Sequence, residues 1–152
     1  QVFNQVLEMG NIRLDEMSGG LYQMEHKVGA DRRNSAAGLD IMIRDSSSGE
    51  LREVGSLSGG ESFVTSLALA LGLSDVVQNH AGGKSLEALF VDEGFGSLDD
   101  DYLDKALGLL NALTEGNRLV GVISHIHRLE ESIPQKIKVI KGTNGSQIEI
   151  EA

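Results

Sequence analysis

Four groups of residues in this chain have the side chains and spacing needed to bind and cleave a phosphate ester. Ser58-Gly59-Gly60-Glu61 begins an apolar helical pattern, and Asp92-Glu93 ends an apolar strand pattern. Ser97-Leu98-Asp99 follows a short glycine-containing link, and His125 ends a second apolar strand pattern. Free N–H groups at a helix start attract anions, carboxylates hold Mg²⁺ or activate water, and histidine can bond a phosphate. Together the four groups predict a nucleotide-phosphate site.

The segment from Ser58 to Glu61 has two interpretations. It fits a capping box, in which Ser58 caps the helix and Glu61 reaches back, and this pattern alone carries no function. The phosphate interpretation depends on Gly59 and Gly60, because they remove side chains where the first N–H groups of the helix are free. Residues 18–20 repeat the Ser-Gly-Gly tripeptide, but a strand pattern follows them, so we assign them no phosphate role.

Asp92 and Glu93 stand at a predicted strand end, where the chain turns and both side chains can reach one crevice. Asp92 suits Mg²⁺, directly or through water, and Glu93 suits a general base for the attacking water. A pair of exposed acids at the start of a loop is the alternative, which the nearby Asp99 disfavours. His125 can contact a γ-phosphate from the neighbouring strand end, although a lone histidine is more often structural.

Gly83-Lys84-Ser85 resembles the end of a P-loop, the loop that grips phosphates in many nucleotidases. A P-loop requires Gly-x-x-x-x-Gly-Lys-Ser/Thr after a strand and at the start of a helix. Position 78 is Gln78, a helical pattern precedes the segment, and a strand pattern follows it. We therefore reject this segment and find no P-loop elsewhere in the chain.

The elements that position these residues follow from the hydropathy pattern. Helical spacing predicts helices over residues 1–17, 61–79, 101–114 and 126–132, and strand patterns cover 21–27, 38–45, 86–91 and 119–123, with a hairpin at 136–141 and 147–150. This order predicts an α/β fold whose sheet is mostly parallel and flanked by helices. The apolar positions of residues 1–17 fit either a helix on the domain's own core or the end of a coiled coil.

Composition narrows the classes of protein. The 152 residues suit one domain, and the absence of cysteine excludes disulfides, thiolate metal sites and a cysteine nucleophile. A net charge of −10 and an aromatic content of 4% disfavour nonspecific nucleic-acid binding and base stacking by this chain alone. We identify no apolar run long enough to cross a bilayer. The first residues are no signal peptide, and they lack an initiator methionine and a helix cap, which predicts an excised fragment.

The motifs resemble those of ABC-type ATPase heads. Leu57–Glu61 resembles the signature motif, Leu89–Glu93 resembles Walker B, Ser97–Asp99 resembles the D-loop, and His125 resembles the switch histidine. Glu61 and Gly94-Phe95-Gly96 are similar to the SMC-like DNA-repair ATPases rather than to membrane transporters. With Ile123-Ser124-His125 and the Ile133-Pro134-Gln135-Lys136-Ile137 segment, the chain is most similar to the SbcC family.

This resemblance implies a fold and a division of roles. Residues 18–152 correspond to the C-terminal lobe of the head, and residues 1–17 to the end of a returning coiled coil. The implied cofactors are ATP and Mg²⁺, with ATP held between two heads. Roles are implied for ten residues: the nucleotide contacts in trans (Ser58, Gly59, Gly60, Glu61), the metal ligand (Asp92), the group that activates water (Glu93), the γ-phosphate contact (His125) and the D-loop that couples the sites (Ser97, Leu98, Asp99).

The resemblance also implies partners and an activity. The expected partners are the protein's own N-terminal Walker A lobe, a second head in a homodimer, an SbcD-type nuclease and, through the complex, double-stranded DNA. The expected location is cytoplasmic and nucleoid-associated, with no membrane partner. The full protein is expected to be an ATPase within an ATP-dependent exonuclease complex, and this chain alone to be inactive. The alternatives are a structural SMC-type chromosome-organising head that uses ATP as dimer glue and, less favoured, a transporter lobe.

Overall fold

The computed structural model describes residues 2–27, 41–80, 87–115, 118–143 and 145–151. In chain order the elements are α1 (Val2–Ser18), β1 (Tyr22–His26), β2 (Ile41–Asp45), β3 (Leu51–Glu53), α2 (Gly59–His80), β4 (Ala88–Asp92), α3 (Asp100–Glu115), β5 (Leu119–Ile123), α4 (His127–Ser132), β6 (Lys136–Gly142) and β7 (Gly145–Glu151). Single 3₁₀ turns lie at Val54–Ser56 and Phe95–Ser97. The predicted helices and strands are present, and β3 is an addition.

The described strands form three small sheets. β1, β2 and β3 form an antiparallel sheet, and β6 pairs with β7 as the predicted hairpin. β4 and β5 are parallel because α3 crosses between them, and this places Asp92 opposite Ile123. The predicted α/β lobe with a parallel sheet and an N-terminal helix is confirmed. Among the described strands, the parallel pairing is that of β4 with β5.

Helices α1 and α2 cross at two glycines. A Cβ atom on Gly72 would lie 2.4 Å from the backbone nitrogen of Gly10, so only glycine permits this approach. The buried face of α1 joins the core residues of α2. The lobe's own core therefore accounts for the apolar positions of α1, and its continuation as a coiled coil stays a prediction. At the end of α1, Gly19 and Gly20 adopt positive φ and stop the helix.

The prediction that β4 and β5 are buried strands is only half right. Leu89 and Val91 pack against the core, whereas Phe90 on the opposite face is 66% exposed. On β5, Leu119 and Ile123 are 64% and 54% exposed. An apolar run predicts that both faces of a strand need cover, and in the described part of this chain only one face is covered.

Helix α2 corrects the expectation that no segment has membrane-spanning length. It has 22 residues and a window of mean hydropathy 1.3, so it could cross a membrane by length and composition alone. However, 44% of that window is buried inside the fold, with Val64, Leu67 and Leu71 in the core. Its packing supports the interpretation of α2 as the central core helix of the lobe.

Candidate nucleotide-binding site

The start of α2 is closed by the predicted capping box. The Ser58 amide donates to Glu61 Oε2 at 2.7 Å, and the Glu61 amide donates to Ser58 Oγ at 3.2 Å. Gly59 and Gly60 therefore form the first turn, where N–H groups have no acceptor within a helix. Ser58 and Gly59 are exposed and Gly60 is half-buried, so the helix start is open to an anion from outside the chain.

Ser97 lies directly against the two glycines. A Cβ atom on Gly59 would lie 3.1 Å from Ser97 Cβ, and one on Gly60 would lie 2.9 Å from the Ser97 carbonyl oxygen. The glycines are thus required by the packing of residues 97–98 as well as by the phosphate approach that the sequence predicted. Two predicted site segments, distant in sequence, are brought together here.

The carboxylate of Glu61 has further partners that sequence reasoning missed. The Tyr22 hydroxyl donates to Glu61 Oε1 at 2.7 Å, and the Arg52 guanidinium lies 3.5 Å from Glu61 Oε2. The Ser58 amide, followed by the Tyr22 hydroxyl, lowers the pKa of Glu61 below its usual range. Burial, followed by the bond to Glu61, raises the pKa of Tyr22. No local signal could reveal this contact, because Tyr22 and Glu61 are 39 residues apart.

Glu93 and His125 meet at the adjoining ends of β4 and β5, as predicted. The Glu93 amide donates to the Ile123 carbonyl at 3.0 Å, and Glu93 Oε2 lies 3.2 Å from His125 Nδ1. Glu93 has a φ of 55°, a conformation that no other non-glycine adopts among the described residues. Both side chains are largely exposed, Glu93 at 56% and His125 at 81%, so a ligand can reach them.

A pair of phenylalanines fixes the strand end relative to α2. The Phe63 and Phe95 rings lie 4.8 Å apart, and Phe95 is fully buried. Gly94 has a φ of 90°, and a Cβ atom on it would lie 2.2 Å from Phe63 Cδ2. Phe63 therefore joins the first turns of α2 to the link after Asp92 and Glu93. The sequence showed Phe63 only as one of many apolar residues in a helix.

The segment Ser97-Leu98-Asp99 has clear local roles. Ser97 Oγ donates to the Gly94 carbonyl at 2.7 Å, and Leu98 packs against the core. Asp99 Oδ1 accepts from the Tyr102 amide at 2.9 Å and so caps α3. These contacts explain the residue types in the segment, and the role of Asp99 in coupling two sites stays a prediction.

The carboxylates at the end of β4 fit a magnesium ion better than a closed metal cage. Among the described residues, no group of three or more histidine or acidic side chains could hold a metal by itself. Mg²⁺ is commonly held by one or two carboxylates together with substrate phosphates, and the exposed Asp92 and Glu93 can supply such ligands. The rejected Gly83-Lys84-Ser85 segment lies outside the described residues. Its neighbours are α2 and β4, a helix and then a strand, as predicted.

Residues 30–112 match the family model described as SbcC/RAD50-like, Walker B motif. The chain is 43% identical over 145 residues to the C subunit of the nuclease SbcCD from Treponema pallidum (strain Nichols), covering 95% of this chain and 14% of that protein. It is 46% identical over 149 residues to the protein of the same name from Vibrio cholerae serotype O1, covering 98% and 15%. The chain thus spans only 14–15% of the length of these relatives.

The fold is similar to a solved chain from "Structural biochemistry of ATP-driven dimerization and DNA stimulated activation of SMC ATPases". The TM-score is 0.71 at 16% identity, over 99% of this chain and 85% of the solved one. Identity this low shows the fold alone, and that fold is the one predicted from the motifs. Together with the family match and the two relatives, it confirms the predicted resemblance: the chain belongs to the SbcC/RAD50-like Walker B family.

Proposed function

We propose that this chain is the C-terminal lobe of an ATP-hydrolysing head in an SbcC-type complex. The observation that carries the proposal is the pair of Glu93 and His125, 3.2 Å apart and exposed at the ends of two parallel strands. The placement fits a base and a phosphate contact on the same side of the sheet. The family match places the chain among proteins in which such a pair is expected.

In this proposal each residue at the strand ends has one task. Glu93 accepts a proton from the attacking water, and His125 lies beside that water and the terminal phosphate. Asp92 is the ligand for Mg²⁺, which would offset phosphate charge when it is bound. The positive φ of Glu93 turns the chain directly after Asp92, which supports a shared crevice for the two carboxylates.

The start of α2 serves the nucleotide of a second head. Ser58, Gly59 and Gly60 contact the terminal phosphate in trans, and their exposure supports a ligand from outside the chain. Ser97, packed against both glycines, and Asp99 would lie at the same head–head boundary. A structural change at one phosphate could therefore reach the other through residues 94–99.

The protein's own N-terminal Walker A lobe is the proposed occupant of the uncovered apolar surface. The relatives are about seven times longer than this chain, so they contain ample sequence for such a lobe. Phe90, Leu119 and Ile123 are exposed on one sheet. Ile137, Val139, Ile148 and Ile150 form two exposed cross-strand pairs on the hairpin. This lobe would also bring the P-loop that this chain lacks, so the chain alone is expected to be inactive.

The wider assignment follows the printed names of the relatives. Both are named as the C component of a nuclease, SbcCD, which supports an SbcD-type nuclease partner, double-stranded DNA as substrate, and a cytoplasmic, nucleoid-associated complex without a membrane partner. A structural SMC-type head is the alternative, and likeness to an SMC ATPase at 16% identity supports it. The identities of 43% and 46% favour the nuclease complex.

Glu93→Gln in the full-length protein tests the proposal. Because glutamine cannot accept the proton, we expect ATP-driven head dimers to form but steady-state hydrolysis to fall by about 10²–10⁴. Glu87→Gln, an exposed acid just before the same strand, is the matched control and should turn over normally. Normal hydrolysis by the Glu93 variant would remove Glu93 as the base.

A further inference from the structure

We propose that Tyr22 and Arg52 are positioning residues for the start of α2. They hold the Glu61 carboxylate on the sheet side, so that Ser58, Gly59 and Gly60 face the phosphate in a fixed shape. This inference rests on the proposed function, because it assigns a task to residues that support the same phosphate contact. Neither residue belongs to a motif singled out from the sequence.

The Glu61 carboxylate is held from several directions. Oε2 accepts from the Ser58 amide at 2.7 Å and lies 3.5 Å from Arg52, while Oε1 accepts from Tyr22 at 2.7 Å. A capping glutamate bonded only to its own helix start can turn toward solvent. Here the side chain is 18% exposed, and the additional partners restrict it to the conformation that closes the capping box.

The antiparallel sheet supplies these partners from a rigid base. Tyr22 begins β1, and its amide donates to Oγ of the buried Ser18 at the end of α1. Arg52 lies on β3 and also approaches Asp45, which is the register partner of Tyr22 on β2. The guanidinium is therefore placed between two carboxylates, at 3.7 Å from Asp45 and 3.5 Å from Glu61. The sheet and the end of α1 thus fix the position of the helix start.

The arrangement also solves an electrostatic problem. A carboxylate in the first turn of a helix repels an incoming phosphate, since both are negative. Tyr22 and Arg52 draw the carboxylate to the sheet and offset part of its charge. Ser58 Oγ meanwhile accepts from the Glu61 amide, which leaves the hydroxyl proton available for an acceptor outside the chain.

The test is a double-mutant cycle in the full-length protein. Tyr22→Phe, which keeps the ring, should weaken ATP-dependent head dimerisation about tenfold, the size expected for losing a hydrogen bond to a charged group. Affinity of the separate head for ATP should not change. In a Glu61→Gln background, Tyr22→Phe should cause little further loss, because both changes break the same contact. Full additivity of the two changes would overturn the proposal.

Arg52→Met provides a second variant with its own control. It should weaken dimerisation as Tyr22→Phe does, whereas Lys27→Met should not. Lys27 is a cation at the end of β1 that pairs with Glu53 at 3.9 Å and is not among the partners of Glu61. Equal losses from both variants would show a general effect of charge rather than positioning.

Hydrogen exchange gives a readout that is independent of activity. In the nucleotide-free protein, the Ser58 amide should exchange faster in Tyr22→Phe while the interior of α2 keeps its protection. Unchanged exchange at Ser58, or faster exchange along the whole helix, would overturn the positioning role. Ser58→Arg separates the two proposals. If it leaves dimerisation intact, the proposed trans contact fails and the inference with it; if it abolishes dimerisation while Tyr22→Phe has no effect, only the inference fails.

Discussion

Gly60 is the position at the start of α2 where a side chain meets the backbone of another segment. A Cβ atom there would lie 2.9 Å from the Ser97 carbonyl, a contact that requires movement of the backbone. We therefore expect Gly60→Ala to lower the free energy of unfolding by about 1–3 kcal/mol and to reduce ATP-dependent dimerisation. Denaturant unfolding of the chain and dimerisation of the full-length protein measure the two effects.

Gly55→Ala is the matched control for that change. Gly55 has no atom near the position of an added Cβ, so alanine there should leave stability unchanged or slightly higher. If Gly60→Ala and Gly55→Ala unfold at the same denaturant concentration, residues 97–98 yield easily. The requirement for glycine would then come from the phosphate alone.

Glu61 makes the stability of the lobe depend on pH. Its pKa is lowered in the folded state, chiefly by the Ser58 amide and then by Tyr22. Its contribution is therefore complete above the ordinary value of 4.5 and is lost as the pH falls through the folded value. Glu61→Gln should lose less thermal stability between pH 6 and pH 3 than the parent. Glu8→Gln, an exposed change on α1, should follow the parent, and an identical acid response of both variants would contradict the shift.

The crossing of α1 and α2 is the contact between elements most sensitive to a single methyl group. A Cβ atom on Gly72 would lie 2.4 Å from the Gly10 nitrogen and 2.7 Å from the Val6 carbonyl. Gly72→Ala must push the helices apart, and we expect it to destabilise the chain by about 1–3 kcal/mol or more in denaturant unfolding. Gly108→Ala, in open space on α3, should instead stabilise by up to about 1 kcal/mol. Equal midpoints for the two variants would contradict this tight crossing.

At the same scale, the elements predicted from the sequence are those with strong local patterns. Strand β5 matches its predicted span of 119–123, and α2 begins at the glycines of the capping box. β3 was missed because Leu51–Glu53 is short, mixed in polarity and paired only with β2 among the described strands. The exposure of Phe90 was missed because an apolar run does not reveal whether its cover lies in the same stretch of chain.

The site divides in the same way. The capping box and the Glu93–His125 pair were predictable, because helix starts and the ends of neighbouring parallel strands follow local rules. The contacts of Tyr22, Arg52 and Phe63 depend on how sheets and helices pack, and no spacing along the chain encodes them. The metal role of Asp92 stays a prediction that only a bound complex can test.

For the whole molecule, the question is what covers the apolar side of the lobe. Val139 is 70% exposed and faces Ile148, which is 67% exposed, across the hairpin. The opposite face carries Lys138, which bonds Glu151 at 2.8 Å and Glu130 at 3.0 Å. One face of the hairpin is thus satisfied within the chain, and the other is suited to the proposed N-terminal lobe.

Val139→Asp tests this surface. Since Val139 contributes little to the core of this chain, the variant should keep the parent's unfolding midpoint within about 0.5 kcal/mol. It should nevertheless weaken binding to a separately produced N-terminal lobe at least about tenfold in calorimetry, because a buried unpaired charge is costly. Ser146→Asp adds the same charge at an exposed position of β7 and should bind normally. Undiminished binding by Val139→Asp would exclude this face of the hairpin from the interface between lobes, and the cover would then have to lie over Phe90 and Leu119 alone.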